Sequence, residues 1–325
     1  KKMRTHPIGT GPFKFVSLKQ NEHVKFVKNQ NYWKKGLPHL DGINWTIIKS
    51  RSTRVLAFVA GKFDFTFNVD VTIPLLKDVK AQAPHAICEL VTTNVSFNLI
   101  VNQFKPPFDN AKIRKAMVMT MDRKAFIDIL SEGQNVQGGA MMPPPSGVWG
   151  MPPEFLKTVA GYSSDVAGNR AKARKIMESL GYGPDNKLKV KVSTRNIAVY
   201  RDPAVILIDH MKEIYIDATL DTVETSNWHA KVARKDYMVG LNLTGIGVDD
   251  PDANFYENYS CGSQRNYTGY CKPEMEALFE KQSMMEDQAA RKKLVWEIDK
   301  KLQEDAARPM IMHGKAAQCW QPYVK

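Results

Sequence analysis

The sequence predicts an α/β protein with two lobes and mixed β-sheets, and three observations carry this prediction. A chain of 325 residues normally folds as two domains. Alternating apolar residues near its beginning favour an antiparallel hairpin. Between residues 187 and 223 a strand, a helix and a second strand follow one another, and such a unit places its two strands parallel.

The composition is that of an ordinary globular protein, with 43% hydrophobic and 25% charged residues. No window approaches the roughly 20 apolar residues of a membrane span. The net charge of +12 comes from 46 scattered Lys and Arg against 34 Asp and Glu. Because no run of like charges marks a basic tail, we expect a solvated basic surface and no nucleic-acid partner.

The first 90 residues are expected to be mostly β-structure. Residues 13–15 and 24–26 flank a polar turn and predict a hairpin. Ser52 is expected to begin a helix that stops at Gly61, and residues 63–67 are expected to return as a strand.

The stretch 94–133 predicts a strand, a proline turn and two helices. The alternating apolar residues of the strand are Val95, Phe97, Leu99 and Val101. Pro106 and Pro107 cannot donate to a β-ladder and therefore end it. Asp109 or Asn110 is expected to cap the first helix and Asp122 the second, because a short side-chain oxygen accepts from the free amides of a first turn.

Periodicity and capping residues predict the remaining elements. Helices are expected over 165–180 and 202–214, the second with Pro203 in its first turn. Strands are expected over 187–194, 218–223, 237–243 and 310–313. Residues 275–302 are expected to form two helices divided near Gln288, and the proline-rich stretch 141–153 to be irregular.

Several short motifs occur in a fixed order along the chain. They are GTGPF at 9–13, NYW at 31–33, FN at 97–98 followed by PPFDN, IRKAM and DRKAFI, and the segments 249–254 and 266–273. Each is weak alone, but their order and spacing are specific and cover nearly the whole chain. Together they closely resemble the ABC-transporter solute-binding proteins of the peptide, dipeptide and nickel type, extracytoplasmic solute-binding family 5.

The resemblance implies a large-type, periplasmic binding protein-like fold, truncated here, because the opening KKMRTHPIGTGPF lies well inside the first lobe of such proteins. It implies a mostly β remainder of the first lobe over 1–92, an α/β second lobe over 93–307 and a return segment to the first lobe over 308–325. Hinges are expected near 91–94 and 306–309, because two chain crossings permit rigid-body closure.

The implied function is capture of a small solute between the two lobes, with delivery to an ABC permease of the inner membrane. The solute is expected to be peptide-like, carboxylated, or a modified amino-acid or sugar compound. The resemblance implies a periplasmic monomer that binds no cofactor and whose secretory signal lies outside this chain.

Two other functions stay open at this point. One is a chemoreceptor-coupled binding protein of the same fold, and the other is a hydrolase that uses the acidic loop 249–252. No nucleophile elbow, H-E-x-x-H or P-loop motif occurs, and the histidines lack metal-ligand spacing. The acidic loop lacks the glycine and glutamate of an EF-hand, so a solvent-facing turn is expected there. We expect neither an enzyme nor a metal site.

Two side chains are candidate ligand contacts. Arg195 follows the predicted strand 187–194, where its guanidinium can grip a carboxylate with two hydrogen bonds. It also matches a family position at which an arginine often meets the ligand's carboxylate, although an ion pair with Asp202 or Glu224 is the alternative. Trp228 matches a family aromatic that packs on the ligand, with core burial as its alternative.

The third candidate is the loop after residue 243. Peptide-binding members of the family carry an aspartate early in this loop that holds the ligand's free amino group, whereas this chain has Ile246 and Gly247 at the matching positions. Asn242, Thr244, Gly247 and Asp249 are the remaining ligand-binding candidates. Because a buried ammonium without an acidic partner is costly, ordinary di- and tripeptides are expected to bind poorly.

The four cysteines do not form a zinc pattern. Cys261 and Cys271 bracket a short polar loop and are predicted to form a disulfide in an oxidising periplasm, with two reduced thiols as the alternative. Cys88 and Cys319 are isolated in the sequence, and no pairing is predicted for them.

Overall fold

The computed structural model describes residues 5–67 and 70–325, and the chain divides into two units. Unit 1 comprises residues 1–71, 78–88 and 318–325, and unit 2 comprises residues 72–77 and 89–317. The lobe boundaries expected after residues 92 and 307 stay a prediction. In the described part of the chain, no helix combines the length and apolarity needed to cross a membrane.

The predicted hairpin forms the core of the unit 1 sheet. Its strands are β1 (Phe13–Lys19), β2 (His23–Lys28) and β3 (Gly42–Thr46), antiparallel in that order. Phe15 lies opposite Phe26, and Phe26 lies opposite Ile43, so the alternation of apolar residues places all three on one face. The expected hairpin is therefore confirmed.

The segment after the hairpin departs from the expectation. Helix α1 (Arg51–Val59) begins after Ser50, whose side chain accepts from the amide of Thr53. The strand expected over 63–67 is wrong, because only Phe65 forms a bridge, to Trp320. A helix α2 (Ile73–Gln82) that the sequence analysis did not predict follows.

Unit 2 is built on a mixed sheet, which confirms that expectation. In the described residues the strand order is β6-β5-β7-β4-β8. The strands are β4 (Ile87–Val101), β5 (Leu188–Arg195), β6 (Ile216–Val223), β7 (Val239–Gly245) and β8 (Met310–Trp320). β5 pairs in parallel with β6 and β7, whereas β4 and β7 are antiparallel. The helix between β5 and β6 completes the predicted β-α-β unit.

The helices of unit 2 follow the predicted capping residues only in part. They are α3 (Ala111–Thr120), α4 (Arg123–Ser131), α5 (Pro153–Leu156), α6 (Val166–Glu178), α7 (Ala198–Lys212), α8 (Thr225–Ala233), α9 (Pro251–Asn258), α10 (Pro273–Ser283) and α11 (Gln288–Glu304). Asn110 caps α3, and Asp122 caps α4. Helix α7 corrects the expectation, because Pro203 lies inside it and removes one internal hydrogen bond rather than opening the helix.

One face of the unit 2 sheet packs on helices. Leu99, Val192 and Leu241 from three strands are fully buried in one core cluster. Met117 of α3 and Leu207 of α7 belong to the same cluster, so the apolar stripes of these helices cover this face of the sheet. The residues that alternate with these along each strand place their side chains on the opposite face of the sheet.

Two disulfides occur among the described residues. Cys261 and Cys271 are joined with an S–S distance of 2.13 Å. Cys88 and Cys319 are joined as well, at 2.03 Å, although they stand 231 residues apart in sequence. The sequence analysis predicted no pairing for Cys88 and Cys319, and the structure corrects this. The two cysteines pair because strands β4 and β8 are neighbours in the sheet.

Candidate ligand-binding site

The candidate site lies on the face of the unit 2 sheet opposite the main core. β4 and β7 place Ser96 opposite Thr244 and Asn98 opposite Asn242. Residues two apart along a strand share a face, so these four side chains form one patch. We call Ser96, Asn98, Asn242 and Thr244 the polar face.

The side chains of the polar face bond to one another. The amide nitrogen Nδ2 of Asn98 lies 2.9 Å from Oγ1 of Thr244, and that of Asn242 lies 3.3 Å from the same atom. Asn98 is fully buried, and its Oδ1 has no hydrogen-bond partner among the described residues. An unmade hydrogen bond of a buried group costs about 1–3 kcal/mol. The polar face therefore retains hydrogen-bonding capacity that the fold does not use.

Arg195 extends the polar face at the carboxyl end of β5. Ser193 lies opposite Gly240 of β7, and Arg195 is two residues further along on the same face. The Nη1 of Arg195 donates to the Tyr200 hydroxyl at 2.6 Å, and its Nε lies 3.3 Å from Oγ1 of Thr225. The guanidinium carbon also lies 4.6 Å from the centre of the Tyr200 ring. Tyr200 and Thr225 therefore fix the direction of the guanidinium.

The ion pairs considered for Arg195 are not formed. Glu224 accepts instead from Nδ2 of Asn196 at 3.3 Å, and Asp202 lies 3.8 Å from Arg201. Within residues 5–67 and 70–325, Arg195 takes part in no ion pair, and it is half-buried. A fixed guanidinium without a counter-ion is a suitable partner for a carboxylate.

Trp228 lies in the core. Its exposed fraction is 1%, and it packs in a cluster with Ile100, Val232 and Tyr237. A Cβ on Gly240 would lie 3.2 Å from the indole, so the ring covers the sheet next to the polar face. The structure thus places Trp228 as a packing residue, and direct contact with a ligand stays a prediction.

The two candidates in the loop after β7, Gly247 and Asp249, take part in none of the hydrogen bonds described for the polar face. Gly247 is exposed, and an added Cβ would meet nothing within 4 Å. The carboxylate of Asp249 accepts from the amide of Val148 at 2.7 Å, and its carbonyl accepts from the Trp149 indole at 2.9 Å. Asp249 therefore anchors the proline-rich stretch 141–153.

The rest of the acidic loop is also engaged, which corrects the expectation of a solvent-facing turn. Asp250 caps α9 and accepts from both terminal nitrogens of Arg291, at 3.1 and 3.3 Å. Asp252 accepts from Ser283 at 2.7 Å and from Gln282. These contacts tie the start of α9 to α10 and α11, which is a structural use of the carboxylates.

Sequence reasoning found Asn242, Thr244 and Arg195 but missed their neighbours. Ser96 and Asn98 alternate with the apolar residues of β4, and this is a signal that a polar face was present. Tyr200 had no comparable signal, because its contact with Arg195 depends on how α7 follows β5.

Comparisons with known proteins agree with this architecture. A family model described as bacterial extracellular solute-binding proteins, family 5, middle, matches residues 1–266. The glutathione-binding protein GsiB of Salmonella paratyphi A is 25% identical over 254 residues, covering 77% of this chain and 46% of that protein. The chain thus spans about half the length of such curated relatives.

Solved structures share the fold. OppA of Haemophilus influenzae, in complex with the peptide RPPGFSPFR, superposes with a TM-score of 0.86 at 21% identity, over 98% of this chain and 61% of that one. DppA of Helicobacter pylori, in complex with the peptide STSA, gives 0.83 at 22% identity over 98% and 60%. This chain therefore has the large-type α/β fold of periplasmic peptide-binding proteins, and it belongs to the bacterial extracellular solute-binding proteins of family 5.

Proposed function

We propose that this protein is the solute-binding component of an ABC importer and that it captures a carboxylated solute on the polar face. It acts in the periplasm and delivers the solute to a permease of the inner membrane. Membership of family 5 supports the transport role. The solute class rests on the side chains of unit 2.

The observation that carries the solute class is the arrangement around Arg195. Tyr200 and Thr225 hold its guanidinium in place without neutralising it. A carboxylate that approaches along the polar face meets a preoriented cation, and preorientation reduces the entropy lost on binding. The Oδ1 of Asn98, which has no hydrogen-bond partner among the described residues, provides a neutral acceptor for the rest of the solute.

The sequence of the loop after β7 narrows the solute further. It has Ile246 and Gly247 where peptide-binding members of the family carry an aspartate, and the next carboxylate along the chain, that of Asp249, accepts from the backbone amide of Val148. A free amino terminus buried there would lack an acidic partner, which costs several kcal/mol. The solute we propose is therefore an N-modified or otherwise non-standard amino-acid or sugar compound. Glutathione, which a relative is named for binding, is one test compound, because it carries two carboxylates and also a free amino group that should weaken its binding relative to N-modified compounds.

Native mass spectrometry can test this proposal on the complete natural gene product. The protein is incubated with a defined mixture of dipeptides, their N-acetyl and C-amide forms, and glutathione. We expect the wild type to retain carboxylated, N-modified compounds. Arg195→Met should bind these compounds at least about tenfold more weakly, a loss of about 1.4 kcal/mol, because the carboxylate loses its charged partner.

Arg201→Met is the matched control, because Arg201 lies on the next helix and is half-exposed beside Asp202. It should retain the same compounds as the wild type. Preferential retention of unmodified dipeptides would contradict the solute class. If Arg195→Met retained the carboxylated compounds as well as the wild type does, the guanidinium would have no role in binding them.

A further inference from the structure

The second disulfide lies where the chain passes between its two units. The chain leaves unit 1 after Cys88 and returns to it at Gln318, next to Cys319. β4 and β8 carry two of the four points at which the chain passes from one unit to the other, and they are neighbours in the sheet. The Cα atoms of the two cysteines are 4.1 Å apart, so they stand directly opposite one another. One covalent bond between two residues of unit 1 therefore joins the strands that carry these two crossings.

The two crossing strands are held differently on either side of this bond. Cys319 is fully buried, and its backbone bonds to Thr66 in both directions, at 2.8 and 3.0 Å. The beginning of β4 is less covered, since Ile87 and Leu90 are 42% and 38% exposed. The disulfide thus attaches the exposed end of one strand to the anchored end of the other.

A side-chain hydrogen bond also joins the two crossing strands within unit 2. The hydroxyl of Thr93 donates to the carbonyl of Gly314 at 2.7 Å. Deeper still, the amide of Leu99 bonds to the carbonyl of Pro309 at 2.8 Å. The segment 89–92 of β4 therefore lies between the disulfide and the Thr93 contact.

We propose that the Cys88–Cys319 disulfide is a brace that makes the two crossing strands move as one hinge. A hinge made of two separate strands allows each strand to fray or slide independently. The covalent bond removes that freedom at the unit 1 end of both strands. The Cys261–Cys271 disulfide has no such position, because it joins residues 10 positions apart inside unit 2.

The two disulfides provide a test with an internal control. Hydrogen–deuterium exchange of the ligand-free protein is compared for wild type, Cys88→Ser/Cys319→Ser and Cys261→Ser/Cys271→Ser. In the first variant we expect amides of residues 87–93 and 315–320 to exchange at least tenfold faster, with β5 and α11 unchanged. In the second variant, faster exchange should be confined to residues 261–271.

A second measurement covers the case in which the first variant does not fold. The Cys261→Ser/Cys271→Ser protein retains only the Cys88–Cys319 disulfide, so a phosphine reductant added after folding opens that bond alone. Reduction should accelerate the same amides at the crossings. Unchanged exchange there, or an equal acceleration throughout both units, would overturn the brace. Neither measurement uses a ligand, so its outcome is independent of the solute proposed above.

Discussion

Trp228→Ala is expected to lower the free energy of unfolding by about 3–5 kcal/mol, the usual loss for a large aromatic removed from a core. The indole is 1% exposed and packs against Ile100, Val232 and Tyr237. It also lies over Gly240, where no side chain can fill the space that its loss would leave. Urea unfolding followed by circular dichroism measures this change.

Trp33→Ala is the control, because Trp33 is 71% exposed. A surface change of this kind should stay within about 0.5 kcal/mol of the wild type. If Trp228→Ala unfolded at the same denaturant concentration as Trp33→Ala and only lost solute binding, Trp228 would be a ligand contact without a packing role.

The second large effect concerns two buried groups that meet at Gly139. The Nε2 of His313 lies 2.9 Å from the carbonyl of Gly139, and the carboxylate of Asp299 accepts from the amides of Ala140 and Met141 at 2.8 and 3.3 Å. Burial lowers the pKa of His313 from 6.5 to about 4. Burial raises the pKa of Asp299 from 3.8 to about 6, against the hydrogen bonds it accepts.

These shifts act on stability in opposite directions over the same range of pH. The contribution of His313 is present above pH 6.5 and is lost as the pH falls toward 4, because the unfolded chain takes up the proton first. The contribution of Asp299 is present below pH 3.8 and is lost as the pH rises through 6. Each shift corresponds to about 3 kcal/mol, so the two effects largely cancel in the wild type.

Single substitutions should separate the two effects. His313→Gln keeps a donor for Gly139 but does not titrate, so its free energy of unfolding should rise relative to the wild type by about 3 kcal/mol between pH 7 and pH 4. Asp299→Asn should fall relative to the wild type by a similar amount over that interval. Urea unfolding at several pH values measures both differences. Parallel pH profiles for the wild type and both variants would show that neither group titrates in this range.

Local signals predicted much of the fold. The hairpin of β1 and β2 and the caps Asn110 and Asp122 depend on residues close in sequence, and the structure has them where they were expected. Pro203 misled the prediction of α7, because a helix held by tertiary packing tolerates an internal proline that its sequence alone argues against.

Features set by strand order could not be predicted in the same way. The Cys88–Cys319 bond requires β4 and β8 to be neighbours, which no local pattern states. The polar face likewise requires β4 to pair with β7, so Asn242 and Thr244 were candidates while Ser96 and Asn98 were missed. Arg195 was found because the end of a strand is a local feature, whereas its partner Tyr200 was not.

The most direct test of the account is whether Arg195 recognises a carboxylate. Isothermal titration calorimetry on the complete gene product would use the N-modified solute that the protein retains and the same compound with its carboxylate converted to an amide, each against wild type and Arg195→Met. We expect the amide to bind the wild type at least about tenfold more weakly, a difference of about 1.4 kcal/mol, and the variant to bind both forms with nearly equal affinity. An equal loss on amidation in both proteins would contradict the account, because the carboxylate would then be recognised elsewhere.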